Sequence, residues 1–407
     1  MYTKRRNKLN NNLKTGSIAI LGAGYAPLKT ADEYYPLKVN NNFYYLTNIL
    51  EEGALLVLIK GQKNHEILFK HQTDPVKALW VGEYLTNQEA SDLSNIKDVR
   101  DIKSFDDFFA NLDSLSLEFG SINYLYLDNE PLLNLSPAFK LTEKVQLLNL
   151  NLTIESLSHF VVRQRMFKDN QEIAKIKEAI RITDLGLKQI MKTLKPNKME
   201  YEIEAEYNYV INKHNKETSF QTIAASGKNA TILHYIDNDQ LIPDDSLMLF
   251  DLGVSHEGYA SDISRTYPTN GKFSARQREI YEIVLKANKE SISNLKPGMT
   301  WQEYNDFGKN ILAEECLKIG LISTKEEISK YYYHSLGHFL GLDTHDLGDR
   351  SFTLQPGMVI TCEPGLYIAS EKIGIRIEDD VLITENGAIN LSKNIIKEID
   401  EIERFMK

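Results

Sequence analysis

Cysteine is nearly absent from this 407-residue chain: Cys316 and Cys362 are too few for a disulfide framework, which points to a reducing compartment. Long hydrophobic runs are missing too. No stretch approaches the roughly 18 apolar residues a membrane-spanning helix needs, so no membrane partner is expected. The basic N-terminus, MYTKRRNKLNNN, lacks the hydrophobic segment that would follow it in a secretory signal. These absences predict a cytoplasmic protein. Positive charge is in deficit as well. With 47 Lys and Arg against 57 Asp and Glu, the net charge of −10 argues against nucleic-acid binding, which rewards basic surfaces. Three motifs are also lacking. Gly22-Ala-Gly24 has Pro27 where a dinucleotide fingerprint needs its third glycine, so it reads as a strand-end turn. No G-x-S-x-G elbow supports Ser335 as a nucleophile, and no D-x-D-x-D-G run makes a calcium loop.

What is present is an ordinary soluble composition, 42% hydrophobic and 26% charged, in a chain long enough for two domains. Residues 16 to about 150 read as an α/β unit. GSIAILGAG, FYYLTNI, GALLVLIK and EILFK are its strand candidates, with a helix around Thr86 to Leu93. The pattern loosens between Ile154 and Lys168, which sets domain limits of 1–160 and 161–407. From Asp169, apolar residues at Ile173, Ile176, Ile180, Leu187, Ile190 and Leu194 mark an amphipathic helix. It ends at Lys195-Pro196-Asn197, and a second helix begins near Met199. The same phrase then recurs: Leu295-Lys296-Pro297-Gly298 is preceded by one long helical run and followed by another. Pro243 stands eight residues before Asp251, Pro356 seven before Glu363, and His234 and His345 precede those acids by 17 and 18. The joint offsets predict an internal duplication of a helix–helix–hairpin unit, whose halves face a central cleft.

Each half carries a pair of acids placed about a turn. Asp251 and Asp262 flank HEGY, with a midpoint between His256 and Glu257; Glu363 and Glu378 have theirs between Ser370 and Glu371. As hairpins, both stretches would set two carboxylates opposite one another on one face. Like charges so placed are destabilising, and more so when buried. The flanking LMLF and VLIT runs predict burial, so a cation is expected between the acids. Asp379 and Asp380 read as partly solvated charges, and Cys362 as a packing residue on the opposite face from Glu363. A histidine completes such a set, and His334, His338 and His345 cluster in YYYHSLGHFLGLDTHD, whereas His65, His71, His159 and His214 have no such company. Gly337 and Gly341 predict a close backbone approach around His338. Four carboxylates and an imidazole suit Mn²⁺, Zn²⁺, Co²⁺ or Fe²⁺. Two such ions roughly 3.5–4 Å apart activate a water and polarise a carbonyl together. His234, His334 and His345 are then candidates for proton transfer or oxyanion stabilisation.

FDLGVSHEGYASDISRTYP, HSLGHFLGLDTHD, TCEPGLYI and GIRIEDDVLIT together resemble the four motif blocks of the pita-bread metallopeptidases, over residues 170 to 400. Within that family the chain is most similar to the aminopeptidase P subgroup, whose N-terminal domain the first half also resembles. The resemblance implies an α/β (α+β) protein: a smaller N-terminal domain, then a pita-bread catalytic domain with pseudo-twofold duplication. It implies a homo-oligomer, dimer or tetramer, and two divalent ions, Mn²⁺ first and Zn²⁺ or Co²⁺ as alternatives. One ion would sit on Asp251, Asp262 and Glu378, the other on Asp262, His338, Glu363 and Glu378, with Asp262 and Glu378 bridging. Glu363 would double as the base for the attacking water. His234 and His345 would bind substrate and shuttle protons, His334 would be a further active-site histidine, and Arg376 would stand beside the last ligand. On a strand, Arg376 shares the face of Glu378 and can offset its charge.

The implied reaction removes the N-terminal residue from peptides with proline second. A prolidase restricted to dipeptides is the alternative on the same metals, and a metal-free peptide-binding module a third, which the full ligand set disfavours. The chain departs from the subgroup at Lys38, Asn42 and Asn48, which stand where an arginine, an acid and a glycine are usual.

Overall fold

In a computed structural model of the chain, residues 1–128 and 151–407 are described, with Thr142 and Val145 between them. They form two compact units, Met1–Gln164 and Arg165–Lys407, dividing at the end of the helix Ser158–Arg165.

The first unit is built on a six-stranded mixed sheet, in the order Asp98–Asp101, Asn64–Lys70, Leu55–Lys60, Ser17–Gly22, Tyr124–Leu127 and Thr153–Ser156. Its central strand is buried throughout, as the apolar run SIAILG requires. The Thr86 to Leu93 expectation is met by the helix Asn87–Ser94, which Thr86 and Glu89 start with a reciprocal capping box. FYYLTNI is a helix, not a strand. The Asn40 side chain accepts from the Phe43 amide at 2.9 Å, capping Asn41–Thr47, and the segment is buried on every side. A helix buried all round has no polar face for a sequence pattern to register, and its aromatic residues imitate a strand.

The basic N-terminus is packed, not displayed. Within the helix Tyr2–Asn12, the buried Arg6 donates to the carbonyls of Leu46 and Ser94 and to Glu66, and Arg5 donates to the carbonyl of Tyr45. Two of the three departures have a physical account. Asn48 is the C-cap of Asn41–Thr47 at φ 61°, a left-handed position where asparagine is the usual substitute for glycine. Asn42 is buried and donates to both oxygens of Asp128 at 3.1 and 2.9 Å, so the acid stands across from it and not at position 42. Lys38 is exposed.

The second unit repeats itself. Helices Asn170–Thr193 and Glu200–Lys213 precede a three-stranded sheet of Ile223–Ser226, Leu247–Leu252 and Ile263–Pro268. Helices Ala275–Asn294 and Trp301–Lys318 precede the sheet of Val359–Cys362, Asp379–Thr384 and Gly387–Asn390. The two Leu-Lys-Pro phrases do the same work in each half. Leu194 and Leu295 end their helices at ψ 121° and 129°, and Asn197 and Gly298 follow at φ 65° and 90°. Each turn is then pinned to the chain near the matching proline. Asn197 and Lys198 bond to Ile242 at 3.0 and 2.8 Å, and Gly298 and Met299 bond to Leu354 at 2.8 Å each. The Glu378 amide donates to the Ser264 carbonyl at 3.0 Å, which joins the sheets of the two halves.

Candidate metal centre

The strands fix where the acids point. In the second half Gly365 pairs with Arg376 and Cys362 with Asp379, so one register runs through Glu363 and Glu378 and sets them opposite each other. The first half differs from the sequence reading. Asp251 pairs with Ser264, because the turn is centred on Glu257 and Gly258, one position later than expected. Those residues lie at φ 49° and 81°, the left-handed conformation of a two-residue hairpin turn, which glycine accommodates freely. The two-residue shift in register preserves the face. Asp262 therefore stands diagonal to Asp251, still on its side of the sheet.

One cleft is lined by Asp251, Asp262, Glu363, Glu378, His234, His334, His338, His345 and Arg376, all nine of the residues singled out from sequence. Leu233, Ser335, Gly337 and Arg350 also line it; His65, His71, His159 and His214 do not. Gly337 makes the close approach expected of it, since a Cβ there would lie 2.1 Å from the Thr361 carbonyl. That packing brings His338 against the strand before Glu363.

Hydrogen bonds set the histidine tautomers. Nδ1 of His338 lies 3.0 Å from the Phe339 carbonyl, which only accepts, so Nδ1 carries the proton. Nε2 is left as a lone pair, 3.3 Å from Asp262 and 3.6 Å from Glu363. His334 donates from Nδ1 to the Ser335 carbonyl at 2.8 Å, and its Nε2 accepts from the Tyr367 hydroxyl at 2.8 Å. Burial, then Arg376, pulls the His334 pKa down to about 4. Desolvation, then the neighbouring His338, pulls His345 to about 4 as well, although its ring has an open face toward solvent that works against this.

The electrostatics leave a deficit of positive charge. Arg376 is buried and donates to Asp251 at 2.6 Å, to Ser264 at 2.8 Å and to Tyr367 at 3.0 Å. Ser264 in turn donates to Glu378 at 2.8 Å. One guanidinium facing four carboxylates leaves an excess of three negative charges when all are ionised. Burial, then Asp251, holds Asp262 well above the usual carboxylate range; burial, then Asp262, does the same to Glu378. Glu363 is raised by burial. One oxygen each of Asp251 and Asp262 is buried without a hydrogen-bond partner. Divalent cations fit this arrangement, because they supply both the missing charge and the missing partners. Asp251, Asp262 and Glu378 bring ligand atoms within 4.8 Å of one another, as do His338, Glu363 and Glu378, and also Asp262, His338 and His345.

The sequence reading missed the frame behind the acids. Asp379 and Asp380 are fully buried and not solvated. Asp379 binds Arg265 at 2.8 Å and Lys397 at 2.5 Å, and is held far below the usual range because these two cations outweigh its burial. Arg265 also donates to the carbonyls of Ser264 and Glu378, at 2.9 and 2.6 Å. Asp380 accepts the Asp262 amide at 3.2 Å. The available signal was strand alternation: Ser264 follows Asp262 by two residues and so shares its face. Arg350 had none, since its guanidinium reaches the cleft by lying 5.0 Å over the Trp301 ring, a contact distant in sequence.

Comparison with known proteins fits this geometry. Residues 174–385 match the model of metallopeptidase family M24, and residues 2–116 match the aminopeptidase P N-terminal domain. The Xaa-Pro aminopeptidase of Escherichia coli is 35% identical, covering 100% of this chain and 97% of that protein. The Haemophilus influenzae Xaa-Pro aminopeptidase is 33% identical, with 100% and 96% covered. Among solved structures, a Bacillus anthracis protein assigned as an aminopeptidase P is 44% identical at a TM-score of 0.96, covering 100% of this chain and 97% of that one. A clustered metal-type site, a duplicated catalytic unit and relatives matched over nearly their full length lead to one conclusion: the chain belongs to metallopeptidase family M24, with an aminopeptidase P N-terminal domain ahead of the catalytic one.

Proposed function

We propose that this metallopeptidase is an Xaa-Pro aminopeptidase, which releases the N-terminal residue from peptides with proline second. The observation that carries the reading is the pair of buried, unpartnered carboxylate oxygens on Asp251 and Asp262, facing His338, Glu363 and Glu378 in one cleft. The full-length likeness to Xaa-Pro aminopeptidases, one of whose structures holds the inhibitor Pro-Leu, supports the choice of substrate.

Asp251, Asp262 and Glu378 would hold one divalent ion, and Asp262, His338, Glu363 and Glu378 the other, with Asp262 and Glu378 shared. Mn²⁺ is the ion we assign, and Zn²⁺ and Co²⁺ suit the same ligands. When bound, the ions polarise the scissile carbonyl and lower the pKa of the attacking water. Glu363 is the base. Burial raises the Glu363 pKa, which strengthens it as a proton acceptor. Water adds to the carbonyl carbon as Glu363 takes its proton. The carbon–nitrogen bond then breaks as a proton reaches the prolyl nitrogen, which leaves as a secondary amine. His234 and His345 flank the open side of the cleft, where they bind substrate and relay that proton. His334 keeps its lone pair on Tyr367, which steadies the hydroxyl that Arg376 also grips. Arg376 offsets the charge of Asp251 and keeps it aimed inward.

We further infer a cytoplasmic homo-oligomer, dimer or tetramer. The buried free thiols of Cys316 and Cys362 support a reducing compartment, and among the described residues no helix is long and apolar enough to cross a membrane. The helix Pro75–Val81, with Leu79 and Trp80 each 86% exposed, supports assembly, which light scattering tests. For activity the test is a cleavage panel with Mn²⁺-loaded protein. Xaa-Pro-Yaa should be cut with release of Xaa, and Xaa-Ala-Yaa much more slowly. Cleavage of Xaa-Ala-Yaa with Xaa-Pro-Yaa left intact contradicts the reading, and turnover of Xaa-Pro alone converts it to a prolidase.

A further inference from the structure

We propose that Glu200 is a positioning residue for His234, holding the segment 226–240 that presents this histidine to the cleft. The inference rests on the reading that His234 takes part in the reaction. His234 itself is exposed, so its placement depends on the chain to either side. Glu200 grips both sides. Its side chain is fully buried at the start of the helix Glu200–Lys213. One oxygen accepts from the amide and hydroxyl of Ser226 at 2.7 and 2.6 Å and from the Asn229 side chain at 3.1 Å, all before His234. The other accepts from the Tyr235 hydroxyl at 2.7 Å and the Gln240 amide at 3.1 Å, both after it.

Five donors converge on one carboxylate, three on one oxygen and two on the other, which fully occupies its roughly four lone-pair sites with one of them shared. Tyr235, next to His234, belongs to one buried cluster with Ile223, Ala225, Ala230, Leu249 and Tyr367. Tyr367 is the residue bonded to His334 and Arg376, so the grip on Tyr235 is continuous with the cleft wall. A second tie closes the far end of the segment. Asn238 accepts the Ala224 amide and donates to Glu204 on the same helix, at 2.9 Å each. Glutamine at position 200 cannot satisfy this arrangement. Whichever way its amide faced, an NH₂ group would meet at least one donor.

The test is a double-mutant cycle on the Mn²⁺-loaded protein with an Xaa-Pro-Yaa substrate. Glu200→Gln should lower kcat/KM about 10- to 100-fold while metal content stays at the wild-type level, because misplacing a working group is costly even when the chemistry is intact. In the His234→Ala background the same change should do almost nothing, within about twofold, since the group it positions is gone. Tyr235→Phe removes a single hydroxyl and should behave the same way at smaller size; it carries the cycle if Glu200→Gln fails to fold. Effects that multiply in the double variant overturn the inference, because a general structural role would persist without His234. Wild-type turnover in both Glu200→Gln and Tyr235→Phe overturns it too. Wild-type turnover in His234→Ala overturns the role given to the histidine, and the inference with it.

Discussion

Asp262 and Glu378 each reach more than one group of ligand atoms within 4.8 Å, whereas Asp251 and Glu363 each belong to one. Substituting either shared acid should therefore unload the site. Asp262→Asn and Glu378→Gln are predicted to lose bound metal and all measurable peptidase activity. His345→Ala should keep its metal and lose about 100-fold in kcat, the usual scale for a proton-transfer group. Elemental analysis beside kinetics decides this, and equal metal loss in all three variants contradicts the role given to His345. The raised carboxyls also set a pH dependence. A carboxyl whose pKa is higher in the fold than its unfolded value of about 4 adds stability below that value, which is lost as pH climbs toward the folded pKa. His334, lowered to about 4, works oppositely and loses its contribution as pH falls from about 6.5. The informative quantity is thus the Tm rise on adding Mn²⁺ at each pH, not Tm itself. Ligation needs ionised acids, so the rise should be larger at pH 8 than at pH 5.5. A rise at pH 5.5 that equals or exceeds it contradicts the assignment. At this scale the sequence was legible where a residue's chemistry is local. Asp251 stands in a strand, Glu363 directly follows one and His338 adjoins a glycine, whereas Arg350 and Arg265 act through partners remote in the chain, which no spacing encodes.

The elements show why some patterns could be read and others not. The Glu363 and Glu378 register follows from a symmetric hairpin whose two short ladders share one alignment. The Asp251 and Asp262 register depended on which residues take the turn, and Glu257 is an improbable occupant of a positive φ. Burial hid other elements: FYYLTNI has no polar face, and Asp379 and Asp380 look solvated until Arg265, Lys397 and the Asp262 amide are seen around them. Two substitutions test the element-level account. Gly337→Ala would press a Cβ to 2.1 Å from the Thr361 carbonyl and shift the segment carrying His338. It should cost about 2 kcal/mol of stability, the scale of overpacking, and weaken metal binding in an equilibrium titration. Retained affinity would mean that the glycine does not place the histidine. Asn48→Ala should cost about 1 kcal/mol in denaturant melts, for its left-handed φ of 61°, while Asn48→Gly should be close to neutral.

As a whole, the second unit is one helix–helix–sheet design used twice, and the duplication was legible because the Leu-Lys-Pro phrase recurs and because Pro243 and Pro356 stand eight and seven residues before Asp251 and Glu363. The structure adds what the phrases do: each ends a helix, and the turn after it bonds to the strand approach at Ile242 or Leu354. Two acids from each half then meet across the Glu378–Ser264 bond, in a cleft whose carboxylates lack enough positive charge of their own. The choice of proline rests on likeness to relatives and was never visible in the spacing. That the two halves together make a working metal site is the central claim, and one titration tests it most directly. Chelator-stripped protein is loaded with Mn²⁺ in steps while bound metal and Xaa-Pro-Yaa turnover are followed together. The account predicts no turnover without metal and activity that rises until about two ions are bound per chain. Undiminished turnover in the stripped protein would contradict it.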